Sequence, residues 1–411
     1  MTDPLVGYLS DRTKNPAGRR RPWMIRSILP LAALVFLLFA PFEIPSQTLA
    51  AAYYAVISVL FWSLYTTYVI PYMSLAAEMT DSCRERYILR VANMICGGLF
   101  MLLCSSGPMV VWQWGIDRGM TDRASWGLSG ILFGALTLLF GALSCLFTKG
   151  TEQPAAEELL RKNHESIFTV LRETLSMKPY RKLCLGCLFF FLGDIAGYSA
   201  TMYLLSYNCG LTAEQQTVFW LIYSIAYTAM VPVGSVFVKK FGKKASLLIG
   251  MGFMTALCVF FFLIKVDSFL DVCILYVLIM FSACMVWTTY LAFAYDCAEL
   301  DAYKHGKRRE GSLVSVVSLA QKLGSAIGTY TIGLMLAAVG YNANAAEQTP
   351  QALSGILSLS TLLPALGALL MLLLMAGYPI RRKEYDLILQ ANEDKKAGRP
   401  VDESGFKNCL S

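Results

Sequence analysis

Charge is scarce in this sequence. Asp, Glu, Lys and Arg make up 15% of its 411 residues, against 56% hydrophobic residues and a mean hydropathy of +0.53. No soluble fold of this length hides that much apolar surface, so a soluble globular protein is excluded. Histidine is scarcer still: His164 and His305 are the only two, and both lie in polar stretches. That leaves no His-based catalytic or metal site inside an apolar segment. The 12 cysteines are scattered singly, and Cys184 and Cys187 form the one CxxC pair. Without a companion pair to complete a tetrahedral set, CLGC reads as small apolar packing and not as a metal site. No nucleophile, metal cluster or His dyad recurs at one depth, which argues against an integral-membrane enzyme. No cleavable signal peptide is expected.

What the sequence has in abundance is apolar runs of about 20 residues, long enough to cross a bilayer core of about 30 Å as helices. They fall near 24–41, 49–79, 88–113, 126–148, 183–207, 214–238, 245–264, 270–297, 312–339 and 351–378. Ten membrane helices are therefore expected, with a stub at the N-terminus. Basic residues orient them, because short loops rich in Lys and Arg stay on the cytoplasmic side. Of the 35 Lys and Arg residues, only Arg118, Arg123 and Lys265 fall in loops assigned to the outside. Most of the rest crowd alternate loops: Arg19 to Arg21, Arg84 and Arg86, Lys149 to Lys182, Lys239 to Lys244, Lys304 to Arg309, and the tail. Both termini are expected in the cytoplasm, in a multi-pass protein of a cell inner membrane. The net charge of +7 is read as topology, not as a nucleic-acid signal.

A pattern repeats along the chain. GYLSDRTKNPAGRRRPW, from Gly7, and GSVFVKKFGKKASLL, from Gly234, both lead through glycine and a basic cluster into an apolar helix. They occupy equivalent places on either side of the polar segment 149–182. Counted back from the second copy, about 45 residues would precede the first in a complete bundle. The chain is thus expected to start inside the second helix of a twelve-helix, six-plus-six transporter. Within the polar segment, ESIFTVLRETL sets Ile167, Phe168, Leu171 and Leu175 on one face, which predicts a helix along the membrane surface. Residues 385–411 read as a disordered tail.

Ionisable groups within a span cost about 2.5 to 3.5 kcal/mol on insertion scales, so those present need a reason. Lys322 is the only Lys or Arg deep in a span, and Asp194 the only acid near a span centre. At about 1.5 Å per residue both lie roughly 15 to 17 Å from the cytoplasmic ends of their helices. Two readings stand: a buried ion pair that fixes helix packing, or two groups that face one aqueous cavity. Nearby, Gly324 and Gly328 form a GxxxG that reads as a close helix contact.

Three stretches carry a family likeness. DPLVGYLSDRT with GRRRPW, IPYMSLAAEMTDSCRER, and AQKLGSAIG with VGY resemble the melibiose permease-like family of glycoside-pentoside-hexuronide:cation symporters, in the major facilitator superfamily. The resemblance implies an all-α integral membrane protein of the major facilitator fold, whose two six-helix bundles rock about a central cavity. It implies symport of a sugar-like solute with Na⁺ or H⁺, with no cofactor beyond the coupling ion. The expected organisation is a truncated N-terminal bundle over 1–148, a cytoplasmic linker over 149–182, a C-terminal six-helix bundle over 183–378 and a cytoplasmic tail over 379–411. The partners expected are a small glycoside-like solute and the lipid bilayer, with no nucleic acid, and the protein is read as a monomer.

Carried over residue by residue, the likeness nominates Asp3 and Thr66 for the cation. Asp3 matches the second of an acidic pair, and an Asp before Pro also reads as a turn former. Apart from a Na⁺ at Asp3, no metal is implied. The candidate solute residues are Asp194, Lys322, Trp287, Tyr65 and Asn93; Asp194 is nominated by its depth, whereas Lys322 matches a lysine near the family's coupling site. Trp287 matches an aromatic that stacks on a sugar ring, although a membrane tryptophan also reads as packing. Tyr65 and Tyr72 could supply hydroxyls. The sequence departs from sugar-transporting relatives at Val69, where they have Asp, and at Asn93, where they have Arg, which counts against a melibiose-like solute. The stretch YDCAELDAYKHGKRREGS is placed in a loop, and its Asp296, Glu299, Asp301 and Arg309 match a cytoplasmic gate or form a solvated loop. The function expected is cation-coupled symport of a sugar or glycoside-like solute; the alternative is a degenerate, non-transporting or sensory membrane relative.

Overall fold

A computed structural model describes residues 5, 6, 9, 10, 13, 15, 18, 20–40, 42–78, 83–150, 167–305, 310–343, 345, 347–397, 399–401 and 403–410. Among these the chain is helical, with no strand. It divides into two compact units, Met1–His164 and Glu165–Ser411.

The first unit holds four long helices: α1 (Arg21–Leu38), α2 (Gln47–Glu78), α3 (Cys83–Asp117) and α4 (Asp122–Phe147). α4 starts where the Thr121 side chain accepts a hydrogen bond from Ala124 N, which satisfies one of the orphan amides of the first turn. α1 packs on α2 and α4. The approach to α4 is close because a β-carbon at Gly134 would sit 3.0 Å from the Ala32 carbonyl oxygen. Buried Met24, Leu75 and Cys145 form the core cluster here, with Tyr68 and Tyr72 against it. At one end the loop after α1 meets the first turn of α4 through Glu43 and Arg123, 2.5 Å apart.

The second unit begins with α5 (Ile167–Ser176), where the amphipathic linker pattern predicts a helix. α6 (Lys178–Tyr203) follows and passes into a π-helical turn over Leu204–Asn208. Then come α7 (Ala213–Phe241), α8 (Lys243–Ile264), α9 (Phe269–His305), α10 (Glu310–Ala338), α11 (Pro350–Ala376), α12 (Arg382–Lys396) and the short α13 (Lys407–Leu410). α6 is the central element, packed along both α10 and α11. The GxxxG of α10 is a helix contact, since Gly324 and Gly328 lie against the backbone of Leu188 and Leu192. The two basic-loop helices α7 and α8 are separated by Gly242 alone, whose φ of +82° ends one helix and lets the next begin.

Eight helices are long and apolar enough to cross a membrane among the described residues. Of the ten expected segments, 88–113 and 312–339 fall on α3 and α10, which are helical without being among those eight. Two expectations need correction. As far as His305, the stretch placed in a loop after residue 297 is helix: α9 runs on that far, because Cys297, Ala298, Leu300 and Tyr303 are buried. Nor is the tail structureless. α12 buries Ile388 and Ala391, and beyond it Phe406 and Cys409 are buried too. Those few apolar side chains, scattered in a polar stretch, are what seat the segment and what a composition average hides.

Candidate functional site

In the second unit, α6, α9 and α10 bring together aromatic and polar side chains from residues far apart in sequence. Phe191 of α6 meets the Trp287 ring edge-on at 5.2 Å, and Tyr290 completes the cluster at 5.9 Å from each. The Tyr290 hydroxyl donates to Gln321 Oε1 at 3.3 Å, which ties α9 to α10 one residue before Lys322. Phe191 and Tyr290 are buried within the unit while Trp287 is half-buried and Lys322 is exposed. The arrangement suits a flat, hydroxyl-rich ligand: a braced aromatic edge, an amide able to donate and accept, and a cation. Sequence reasoning found Trp287 and Lys322 but missed Phe191, Tyr290 and Gln321. Their signal was available only as helical spacing toward Asp194 and Trp287.

Asp194 lies on α6 one turn beyond Phe191 and is half-buried. Its electrostatic neighbours are Tyr223 of α7, Cys258 of α8 and Tyr276 of α9. Among the described residues the ion pairs do not join it to Lys322, although the two share one unit.

The first unit presents a second aromatic face, on α2. Tyr65 is exposed, stacked over Phe61 at 6.2 Å and edge-on to Trp62 at 5.5 Å. Thr66, on the next position, is buried at 4% exposure. One turn on, Tyr68 and Tyr72 stack at 6.2 Å; the Tyr68 hydroxyl meets Ser144 Oγ at 2.5 Å, and the Tyr72 hydroxyl accepts from Asn93 Nδ2 at 3.3 Å. Asn93 is exposed on α3. Asp3, the partner expected for Thr66, lies outside the described residues.

At the basic-loop end of the second unit, both carboxylate oxygens of Asp296 accept from Lys243 Nζ at 2.6 Å, with Asp296 buried at 4% exposure. Glu299 accepts from Asn392 Nδ2 of α12 through its carbonyl at 3.0 Å and its carboxylate at 3.3 Å. Asp301 is fully buried. These acids sit on the continuation of α9, and the partners of Asp296 and Glu299 belong to the same unit. Arg309 lies outside the described residues.

Comparison with known proteins follows this geometry. The profile of a family described as MFS/sugar transport protein matches residues 1–382. The chain is 26% identical over 399 residues to the uncharacterized symporter YjmB of Bacillus subtilis (strain 168), covering 95% of this chain and 83% of that protein. It is 25% identical over 407 residues to the glucuronide carrier protein homolog of Escherichia coli (strain K12), covering 96% and 85%. Its fold is similar to that of the major facilitator transporter FucP crystallised in the outward conformation, with a TM-score of 0.59 at 13% identity over 91% of this chain and 85% of that one.

Proposed function

The chain belongs to the MFS/sugar transport protein family, the glycoside-pentoside-hexuronide:cation symporters that its motifs resemble, and on that premise we propose that it carries a sugar or glycoside-like solute into the cell with Na⁺ or H⁺. The family is one of membrane transporters, not enzymes, and this chain is a multi-pass membrane protein. The observation that carries the reading is the family match over residues 1–382. The cluster of Phe191, Trp287, Tyr290 and Gln321 supports a ring-shaped, hydroxylated solute. In this proposal Trp287, Lys322, Tyr65 and Asn93 contact the solute, while Asp3 and Thr66 contribute to cation coupling. Asp296, Glu299 and Arg309 belong to a cytoplasmic gate. The protein acts as a monomer by alternating access in the inner membrane, with both termini in the cytoplasm.

The test is uptake of methyl β-D-glucuronide, and in parallel of raffinose, into proteoliposomes holding the full chain. Accumulation above equilibrium under an imposed Na⁺ or pH gradient is expected for at least one of them. Equal, gradient-independent equilibration of both, or no entry of either, counts against symport of this solute class.

A further inference from the structure

Asp194 stands at the middle of the span Lys178–Asn208. Among the described residues no hydrogen bond and no ion pair reaches its carboxylate. A carboxylate at that depth with no partner is expensive as an anion, so either it holds a cation or it holds a proton. Its helix face carries Phe191, Tyr198 and Thr201, at positions three before and four and seven after it. The neighbouring face toward α11 is closed, because a β-carbon at Gly193 would lie 2.7 Å from the Leu363 carbonyl oxygen.

The chemistry around the carboxylate discriminates between the ions. Hard cations are held by about six oxygen ligands. Here α7 offers the Tyr223 phenol, α8 the Cys258 thiol and α9 the Tyr276 phenol. The Tyr276 hydroxyl is already paired with Thr201 Oγ1 at 2.5 Å, and Thr201 also bonds the Gly197 carbonyl at 3.0 Å. Tyr198, on the same helix, is exposed. α10 carries Lys322 and Tyr330, both on the exposed side of the unit, and α11 has no titratable residue at all. α5 runs into the start of α6, about 24 Å along the helix from Asp194. Phenols and a thiol make a poor cation cage. A single proton, by contrast, neutralises the carboxylate with no further ligand.

We propose that Asp194 is the coupling carboxylate of the second unit and that the ion it takes up is a proton. The proposal rests on the symport reading above and narrows its Na⁺-or-H⁺ choice. Protonation removes the one charge near the centre of α6 when the solute is carried. Release of the proton on the other side restores the anion, and the groups around it are all neutral acceptors or donors that need not change partner. Thr66 and Asp3, in the first unit, then contribute to coupling through a second ion and not through this proton.

Two readouts test it, one without any solute. In the purified full chain, infrared difference spectra across a pH titration should contain the stretch of a protonated carboxyl, and that band should be missing in Asp194→Asn. In proteoliposomes, methyl β-D-glucuronide is the probe. A gradient of one pH unit drives about tenfold accumulation at one proton per solute. Wild type should approach that figure; Asp194→Asn should lose it, its residual uptake no longer following the gradient, while Asp194→Glu recovers at least part. Thermal melts of both variants identify a folding loss. An unchanged carboxyl band in folded Asp194→Asn, or full pH-driven accumulation by that variant, overturns the proposal. So does accumulation that wild type and Asp194→Asn both drive with Na⁺ alone. If wild type carries the probe under neither gradient yet loses the band on substitution, the proton site stands and the solute reading fails.

Discussion

The two units use the same device at their basic ends and differ in what surrounds it. In the first, Arg21 opens α1 and its Nε donates to the Cys145 carbonyl, 2.7 Å away in the last turn of α4. In the second, Lys244 opens α8 and its Nζ donates to the carbonyls of Ala376 and Tyr378, at 2.8 and 2.7 Å, at the end of α11. A cation at a helix start is unfavourable to that helix, but here it serves the carbonyl-rich end of a neighbour, where the last carbonyls lack partners and the dipole is negative. The repeated loop therefore ties helices together as well as fixing topology. The second unit adds a described acid: Lys243, beside Lys244, is bound by buried Asp296. The helices behave accordingly. The apolar window of α9 is 61% buried within its unit and that of α2 only 6%. The central helices of one unit are thus much more deeply buried than the aromatic helix of the other.

The sharpest way to break this comparison is to remove the extra brace. Lys243→Ala strands Asp296 in the interior, and loss of one partner of a buried pair costs about 3–5 kcal/mol. Thermal melts in detergent should show the second unit losing that much, and Lys243→Met with Asp296→Leu should recover most of it. Arg21→Met keeps the stem and removes the charged hydrogen bond to the Cys145 carbonyl. It should cost less, about 2–3 kcal/mol. Equal losses from Lys243→Ala and Arg21→Met would mean that Asp296 adds nothing and that the two loops are equivalent after all.

Much of this was legible in the sequence, for reasons that can be named. Long apolar runs and alternate basic loops marked the helices because a bilayer imposes length and charge rules that few other settings share. The GxxxG at Gly324 was readable as a contact because small residues at that spacing leave room for a backbone. What the sequence hid was partnership. Asp296 and Glu299 looked like loop acids because their helix continues beyond its apolar run, held by residues of α12 nearly a hundred positions away. Asp194 and Lys322 looked like an ion pair or two groups on one cavity because depth along a helix is readable, whereas the direction of a side chain around it depends on neighbours. Phe191, Tyr290 and Gln321 are ordinary packing residues in sequence, and only their three-dimensional place, beside Trp287 or bonded to Tyr290, makes them candidates.

The aromatic faces offer the next distinction. Trp287 is braced by buried Phe191 and Tyr290, so truncating it removes a preorganised surface. Trp287→Ala should weaken solute binding by about 2 kcal/mol, roughly thirtyfold in KM for uptake. Tyr65 rests on Phe61 and the exposed Trp62, and Tyr65→Ala should shift KM by less. Should Tyr65→Ala prove the costlier change, the open helix of the first unit would be the main solute contact.

The smallest effect expected is one that neutral pH conceals. The segment after α11 is seated on the second unit partly through Cys409, which is buried at 2% exposure; burial, helped by the Glu384 carboxylate, pushes its thiol up to about 11 from an ordinary 9.0. The seated form thus holds its proton more tightly than the released form. Below about pH 9 the thiol is neutral in both, and seating keeps its full stability. Between pH 9 and 11 the released thiol ionises first, so seating weakens as pH rises, by about 1.4 kcal/mol at pH 10. Site-resolved alkylation checks the sign. Cys409 should react far more slowly than exposed Cys96 and Cys104 at neutral pH, and above about pH 9 its rate should rise more steeply than thiolate fraction alone predicts. Cys409→Ala should remove the weakening of seating between about pH 9 and 10, measured by proteolysis, and leave the Tyr303 to Glu403 and Lys395 to Tyr303 bonds to hold the segment near neutral pH. If release proves independent of pH in the unaltered chain, those polar bonds alone seat the segment, and the second unit's brace owes nothing to the buried thiol.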